Sequence, residues 1–293
     1  MKRKWLNGAV LHTFLIAVSL CFILPLVMVI SISVSSEDAI SDFGYTLFPN
    51  EVSFDAYKLA FQNPQQLLNS YKTTIIFSLS ATALSLLVQS MVAYPLSKKT
   101  YKHKKFVTIY IFITMLFPGG LVPSYILNTQ YLHINNTIWI YIIPGLVGAW
   151  NIIVMRTFFQ GLPDGLPEAA KIDGANEFYI YAKIILPLSK PVLATIGFMT
   201  LLAKWNDWNT SLIYIRKPEL YSLQYLLQRI LREVEYIKSL QNTQAAALVN
   251  TQNMPTESFR FAMAVLAAGP MLMIFPFFQK YVSKGLTIGA VKG

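Results

Sequence analysis

The chain has 293 residues, of which 54% are hydrophobic and 13% charged, with a formal net charge of +10. A soluble domain carries about a quarter charged residues, so half that share argues against a soluble enzyme and for a membrane protein. The basic excess lies in short stretches beside apolar runs, which argues against nucleic acid as a partner. A single cysteine, Cys21, leaves no internal disulfide, and with only three scattered histidines there is no expected metal site.

In chain order, a basic start (Lys2, Arg3, Lys4) leads into an apolar run at about 11–34. That run is too long for a signal-peptide core and no small-residue cleavage site follows, so it is expected to be an uncleaved first span. Further runs near the roughly twenty residues needed to cross a bilayer occur at about 73–96, 106–128, 138–160, 188–213 and 259–282. The expectation is an all-α polytopic membrane protein with six transmembrane helices, forming a single domain over 1–293. Phe117–Gly120, Pro144-Gly145, Gly269-Pro270 and Pro276 interrupt these runs and predict kinks.

Lysine and arginine set the orientation. With the N-terminus inside, the cytoplasmic segments hold fifteen: Lys2, Arg3, Lys4, then Lys98, Lys99, Lys102, Lys104, Lys105, then Arg156, Lys171, Lys183, Lys190, then Lys280, Lys284, Lys292. The outer segments hold eight and are longer, so both termini are expected in the cytoplasm. The outer segment 35–72 is acidic. The outer loop 214–258 carries an apolar stripe at helical spacing: Leu223, Leu226, Leu227, Ile230, Leu231, Val234 and Ile237. Such a stripe suits either a helix lying on the membrane or a docking surface for an outer partner.

Catalytic motifs are missing. No glycine is followed by lysine, so there is no phosphate-cradling P-loop, and neither G-x-S-x-G nor H-E-x-x-H occurs. The chain is expected to be no enzyme and to hold no cofactor of its own. Ionisable residues inside the spans are scarce, which disfavours a proton- or sodium-driven carrier. The polar run Lys204-Trp205-Asn206-Asp207-Trp208-Asn209 is the exception. On one continuous helix, Trp205, Trp208 and Asn209 would share a face. They would serve either as an interfacial aromatic belt, with Asp207 paired to Lys204, or as a pore lining that stacks on sugar rings.

Between the fourth and fifth runs, 161–187 is polar and punctuated. Glu168, Ala169 and Ala170 favour a helix, Gly174 permits a turn, and Phe178–Leu186 reads as a second, amphipathic helix closed by Pro187. The order E-A-A, three residues, Gly, nine residues, Ile, one residue, Leu-Pro resembles the EAA signature of bacterial ABC importer permeases. With six spans, the Trp-Asn-Asp-Trp segment and the tail Lys284–Gly293, the chain is similar to permeases of the carbohydrate-uptake group. Within that group it is most like the second-permease type of the maltose system, in its oligo- and polysaccharide branch.

The resemblance implies a type I ABC importer permease fold and a multi-pass subunit of the bacterial cell membrane. It implies as partners a second homologous permease subunit, two cytoplasmic ATP-binding subunits that would hold ATP and Mg, an extracytoplasmic solute-binding protein, and a carbohydrate substrate. By the same resemblance Glu168, Ala169, Ala170, Asp173 and Gly174 form a cytoplasmic knob that docks on the ATPase, and Leu186 and Pro187 set the next helix. The tail residues Gly285, Thr287, Gly289 and Gly293 would reach the ATPase. A permease for a non-sugar solute, and a stand-alone secondary carrier, remain as alternatives.

Overall fold

The structure is a computed structural model that describes residues 2–62, 64–240 and 257–290. Among these residues the only β pairing is one isolated bridge between Ser35 and Val52, and everything else that is regular is helical. The chain divides into two compact units, Met1–Leu67 with Leu226–Pro270, and Leu68–Tyr225 with Met271–Gly293.

The first unit opens with α1 (Lys2–Ser33), followed by the short helices α2 (Glu37–Phe43) and α3 (Asp55–Ala60). The apolar segment Val10–Ser33 is long enough to cross a membrane, and only 11% of an apolar stretch of 18 residues within it is buried, as a lipid-facing helix would be. Ser36 caps α2 by accepting from Ala39 N. The unit also holds most of α14 (Leu223–Leu240) and the start of α15 (Glu257–Ala290). Glu37 accepts from the backbone N–H groups of Glu257 and Ser258 at 2.9 and 3.2 Å, capping α15 with a carboxylate. Arg260 bonds Glu235 at 2.7 Å, joining α15 to α14.

The apolar stripe of α14 faces inward. Leu223, Leu226, Leu227 and Val234 are all buried. The fold already covers those four side chains, while Ile230 and Leu231 are half-buried. The side chain of Ile237, and the segment 241–256, lie outside what the structure describes.

The second unit begins in α4 (Pro64–Ser97), which runs straight through Pro95. Then come α5 (Lys104–Leu116), α6 (Leu121–Ile126), α7 (Trp139–Ile142) and α8 (Ala149–Gln160). They are followed by α9 (Gly165–Ile172), α10 (Glu177–Ile180), α11 (Leu186–Leu188), α12 (Lys190–Trp205) and α13 (Asn209–Tyr214). Three helical segments are each apolar and long enough to span: Val10–Ser33, Pro64–Ser97 and Glu257–Gln279. Three further pairs qualify only together, bent by 109° between Leu116 and Leu121, 52° between Gly145 and Ala149, and 78° between Leu188 and Lys190. Two of these breaks fall at the expected Pro-Gly sites; Gly120 sits at φ 84°, where a side chain would be strained. Gly269-Pro270 and Pro276 do not interrupt α15, which is one helix from Glu257 to Ala290.

The fifth run departs from expectation. Instead of a helix over 188–213, α12 stops at Trp205, and Asn206–Trp208 separate it from α13. The polar side chains there bond the backbone and so compete with the helix ladder.

Candidate functional site: the knob and a polar break

The knob is built on a buried base. Ile180, Tyr181 and Ile185 pack with Ala93, Leu96, Ile152, Met155, Phe159, Val192 and Ile196 in one cluster. Ala170, Ala175 and Leu186 lie partly buried against it. This gives a physical reason for small residues here: the helix α9 must approach that core closely. Glu168, Ala169, Ile172 and Asp173 point the other way and are exposed, Ile172 to 86%. Glu168 lies in the first turn of α9, where a carboxylate suits the helix dipole.

Between the two helices, Gly174 takes φ 82° and its N–H bonds Lys171 O at 3.0 Å, while Ala175 N bonds Ala170 O at 2.9 Å. These are the αL turn and back-bonds that close a helix C-terminus. Asn176 then caps α10, its Oδ1 accepting from Tyr179 N at 2.8 Å. The second helix is not regular. A wide i→i+5 turn occupies Tyr181–Ile185, closed by Leu186 N to Tyr181 O, and Pro187 sits inside α11 instead of ending it. The wide turn uses one extra residue just before the proline that has no N–H to give. The chain bends at Ser189.

Glu177 ties the knob to the end of α4. Its Oε2 accepts from Tyr94 Oη at 2.9 Å and pairs with Lys98, while Lys171 Nζ lies 2.9 Å from Oε1. Lys98 also stands over the Tyr94 ring, 4.4 Å from its centre. Partial burial works to raise the Glu177 pKa, but the hydrogen bonds from Lys98, Lys171 and Tyr94 outweigh it and bring the value down to about 2. Sequence reading passed over this carboxylate; the signal present was the capping order Asn176-Glu177 at a helix start.

The polar run 204–209 is dispersed rather than aligned. Trp205 is buried, Asn206 and Asn209 are exposed, and Trp208 keeps 36% exposure. With the helix broken, Trp205, Trp208 and Asn209 share no helical face. The expected pairing of Asp207 with Lys204 is replaced by backbone work. Asp207 accepts from Thr210 N at 3.0 Å and from Thr210 Oγ1 at 2.7 Å, capping α13. Lys204 Nζ donates to Tyr141 O at 2.5 Å, inside the bent pair α7 and α8.

Other side chains serve the same bend. Ser85 Oγ donates to Gly145 O at 3.2 Å and Gln89 Nε2 to Leu146 O at 2.9 Å. Backbone groups freed at a break within a membrane need such partners. Tyr141, fully buried and stacked on Phe77 at 4.2 Å, donates to Leu220 O at 2.7 Å and lies 2.6 Å from Ser211 Oγ. Ser222 Oγ donates to Asp207 O at 2.8 Å, closing the network. Sequence reading missed Ser85 and Gln89, although their spacing of four on an apolar helix was visible.

Of the tail, Gly285, Thr287 and Gly289 fall within α15, and Gly293 lies outside the described residues. No group of histidine, cysteine and carboxylate side chains able to hold a metal occurs among the described residues.

Residues 101–288 match the family described as "Binding-protein-dependent transport system inner membrane component". The chain belongs to that family. It is a membrane-embedded permease subunit of an ATP-driven, binding-protein-dependent importer, not an enzyme, and the family implies ATPase and solute-binding partners. The permease is 35% identical to Protein LplC of Bacillus subtilis (strain 168) over 96% of this chain and 92% of that one. It is 30% identical to the polygalacturonan/rhamnogalacturonan transport system permease protein YtcP of the same organism over the full length of both. Its fold is that of a type I importer permease: it matches a chain of a bacterial ABC transporter involved in the import of the acidic polysaccharide alginate, solved by crystallography. That match has a TM-score of 0.77 and 28% identity, over 96% of this chain and 98% of the other.

Proposed function

We propose that this permease forms half of a carbohydrate pore, with an oligo- or polysaccharide as its solute, and that a second, homologous permease completes it. Two ATP-binding subunits would hold the ATP and Mg that the chain itself has no loop to bind. Three long apolar helices together with three bent pairs support a count of six spans, and the lysine and arginine bias supports both termini and the knob on the ATPase side. The named solutes of the relatives support a carbohydrate over an amino acid or phosphate.

The observation that carries the coupling role is the two-sidedness of the knob. One face, with Ala170, Ala175 and Ile180, is anchored in the buried core, and the opposite face, with Glu168, Ala169, Ile172, Asp173 and Gly174, is open. An element held on one side and bare on the other suits the transfer of motion from a docked partner to the pore helices. Glu168 can accept a charge-assisted bond from an ATPase arginine. Leu186 and Pro187 carry the motion into α12, and the tail from Gly285 onward, with Thr287, Gly289 and Gly293, approaches the same partner. Asn206, Trp208 and Asn209 are candidate solute contacts, while Trp205 and Asp207 have structural work.

The test is uptake and co-purification. Glu168→Lys and Gly174→Val should abolish uptake of a labelled oligosaccharide and release the ATPase subunits, with the permease still inserted at normal abundance. Normal transport by both variants would remove the knob from the coupling path.

A further inference from the structure

A groove of 430 Å³ lies between the end of α4 and the knob, with walls of Met91, Tyr94, Pro95, Tyr101, Phe178 and Tyr181. Lys98, Thr100 and Glu177 supply its polar groups. Phe178 is 67% exposed and Met91 47%, so the groove presents apolar surface outward where α4 ends its long apolar run. The loop that forms one wall continues as Lys98-Lys99-Thr100-Tyr101-Lys102-His103-Lys104-Lys105.

The positive charge of that loop is poorly balanced. Lys99 meets Asp164 at 3.6 Å with both side chains open to solvent, and Lys102, Lys104 and Lys105 make no ion pair among the described residues. Thr108 joins the loop to α8: its Oγ1 donates to Lys104 O and accepts from Arg156 Nη1 at 3.1 Å. Arg156 Nε is buried with no hydrogen-bond partner. Burial, together with the charges of Arg156 and Lys99, pushes the Lys104 ammonium below its usual pKa. Of the loop's lysines Lys98 lines the groove, paired with Glu177, and the unpaired Lys102, Lys104 and Lys105 follow directly on Tyr101 in its wall. An excess of cations that adjoins an open apolar channel in the chain, where a spanning helix ends, complements a molecule with an anionic head and a hydrocarbon chain.

We propose that this groove binds an anionic phospholipid, its head group held by the 98–105 lysines and its acyl chain laid along Met91, Pro95 and Phe178. The lipid then touches both the end of a spanning helix and the knob. The inference rests on the permease reading only in placing the loop at a membrane face.

The assembled transporter, ATPase subunits included, is reconstituted in discs of phosphatidylcholine with or without phosphatidylglycerol, carrying Met91→benzoylphenylalanine as a photo-crosslinker. Phosphatidylglycerol adducts should exceed that lipid's share of the disc. The double variant K102Q/K105Q should lower the excess by roughly fivefold per lysine, the factor for one charge near an anionic surface. Both lysines are exposed, so the fold should survive. Adducts in proportion to disc composition, or adducts with an ATPase chain only, would overturn the proposal. Loss of the adduct on adding inorganic phosphate would reassign the head-group site to a soluble anion and overturn it too. Lipid adducts that persist while Glu168→Lys transports normally would fault the coupling assignment and leave the lipid site standing.

Discussion

Lys204 shows how much one side chain can do at a helix break. It donates to Tyr141 O, and a Cβ built on Gly145 would come within 2.7 Å of its Nζ. The glycine therefore makes room for the lysine tip. Gly145→Ala should force the ammonium off the carbonyl and lower the stability of the detergent-solubilised permease by about 1–3 kcal/mol, the usual cost of an orphaned buried polar group. Lys204→Met should do much the same, and the two changes together should cost less than their sum, because they remove one interaction. Thermal unfolding of the three variants checks this; strict additivity would mean the residues do not communicate. Asp207 needs no lysine in this scheme, so Lys204 loss should leave the start of α13 intact by hydrogen exchange.

At the scale of elements, the knob divides into what sequence could and could not announce. The helix at Glu168, the turn at Gly174 and a second helix were legible because each depends on local chemistry: helix formers, a residue free to take positive φ, a cap. Gly174→Ala should cost roughly 1 kcal/mol by αL strain and Gly174→Asn less, since asparagine tolerates that conformation better. Peptide-level hydrogen exchange over 165–180 reads the order, and equal protection in both variants would contradict it. The Glu177 latch was not legible, because Tyr94 and Lys98 lie some eighty residues away in the chain.

The latch has a pH dependence with a definite sign. Its carboxyl has a pKa near 2 in the fold, below the ordinary 4.5, so the stabilisation is complete above about 4.5 and is lost as pH falls from there towards 2. Glu177 keeps 55% of its side chain exposed, so screening makes the contribution modest. Wild type and Glu177→Gln should differ in melting temperature near neutral pH, and the gap should shrink below about pH 4.5 and close only towards pH 2. A gap that widens on acidification would reverse the assignment. The stripe of α14 teaches the opposite lesson. Its helical spacing was visible, but spacing alone does not say what covers it. With Leu227 buried, Leu227→Asp should reduce the abundance of the permease by burying a charge, instead of selectively weakening a partner.

For the whole molecule, the apolar runs anticipated the location of the helices, and Phe117–Gly120 and Pro144-Gly145 marked two of the three bends, while the third, at Ser189, was not legible. Bends depend on which neighbours offer side chains such as Ser85 and Gln89 to the freed carbonyls. Orientation is open to direct measurement. Single cysteines in a Cys21→Ser background at Lys102 and at Arg232, both exposed, should differ in intact cells. The first should resist a membrane-impermeant thiol reagent and the second should react. Labelling at 102 from outside would invert the topology and put the knob on the wrong side for an ATPase.

The wide turn at Tyr181–Ile185 has a consequence for how the permease tolerates change. It holds one residue more than an α-helix needs for the same rise. Deleting a residue there should let the segment relax into ordinary α-helix with both flanks in their present register, because Leu186 already bonds Tyr181 O where the fourth residue on would do so in a regular helix. Ala170 and Ala175 would keep their places against the core, and such a permease should still engage its ATPase. Deleting a residue from the regular helix α12 should instead turn everything N-terminal to it by about 100° and break that engagement. The wide turn is thus a slack position, where the count of residues can change without re-aiming the knob.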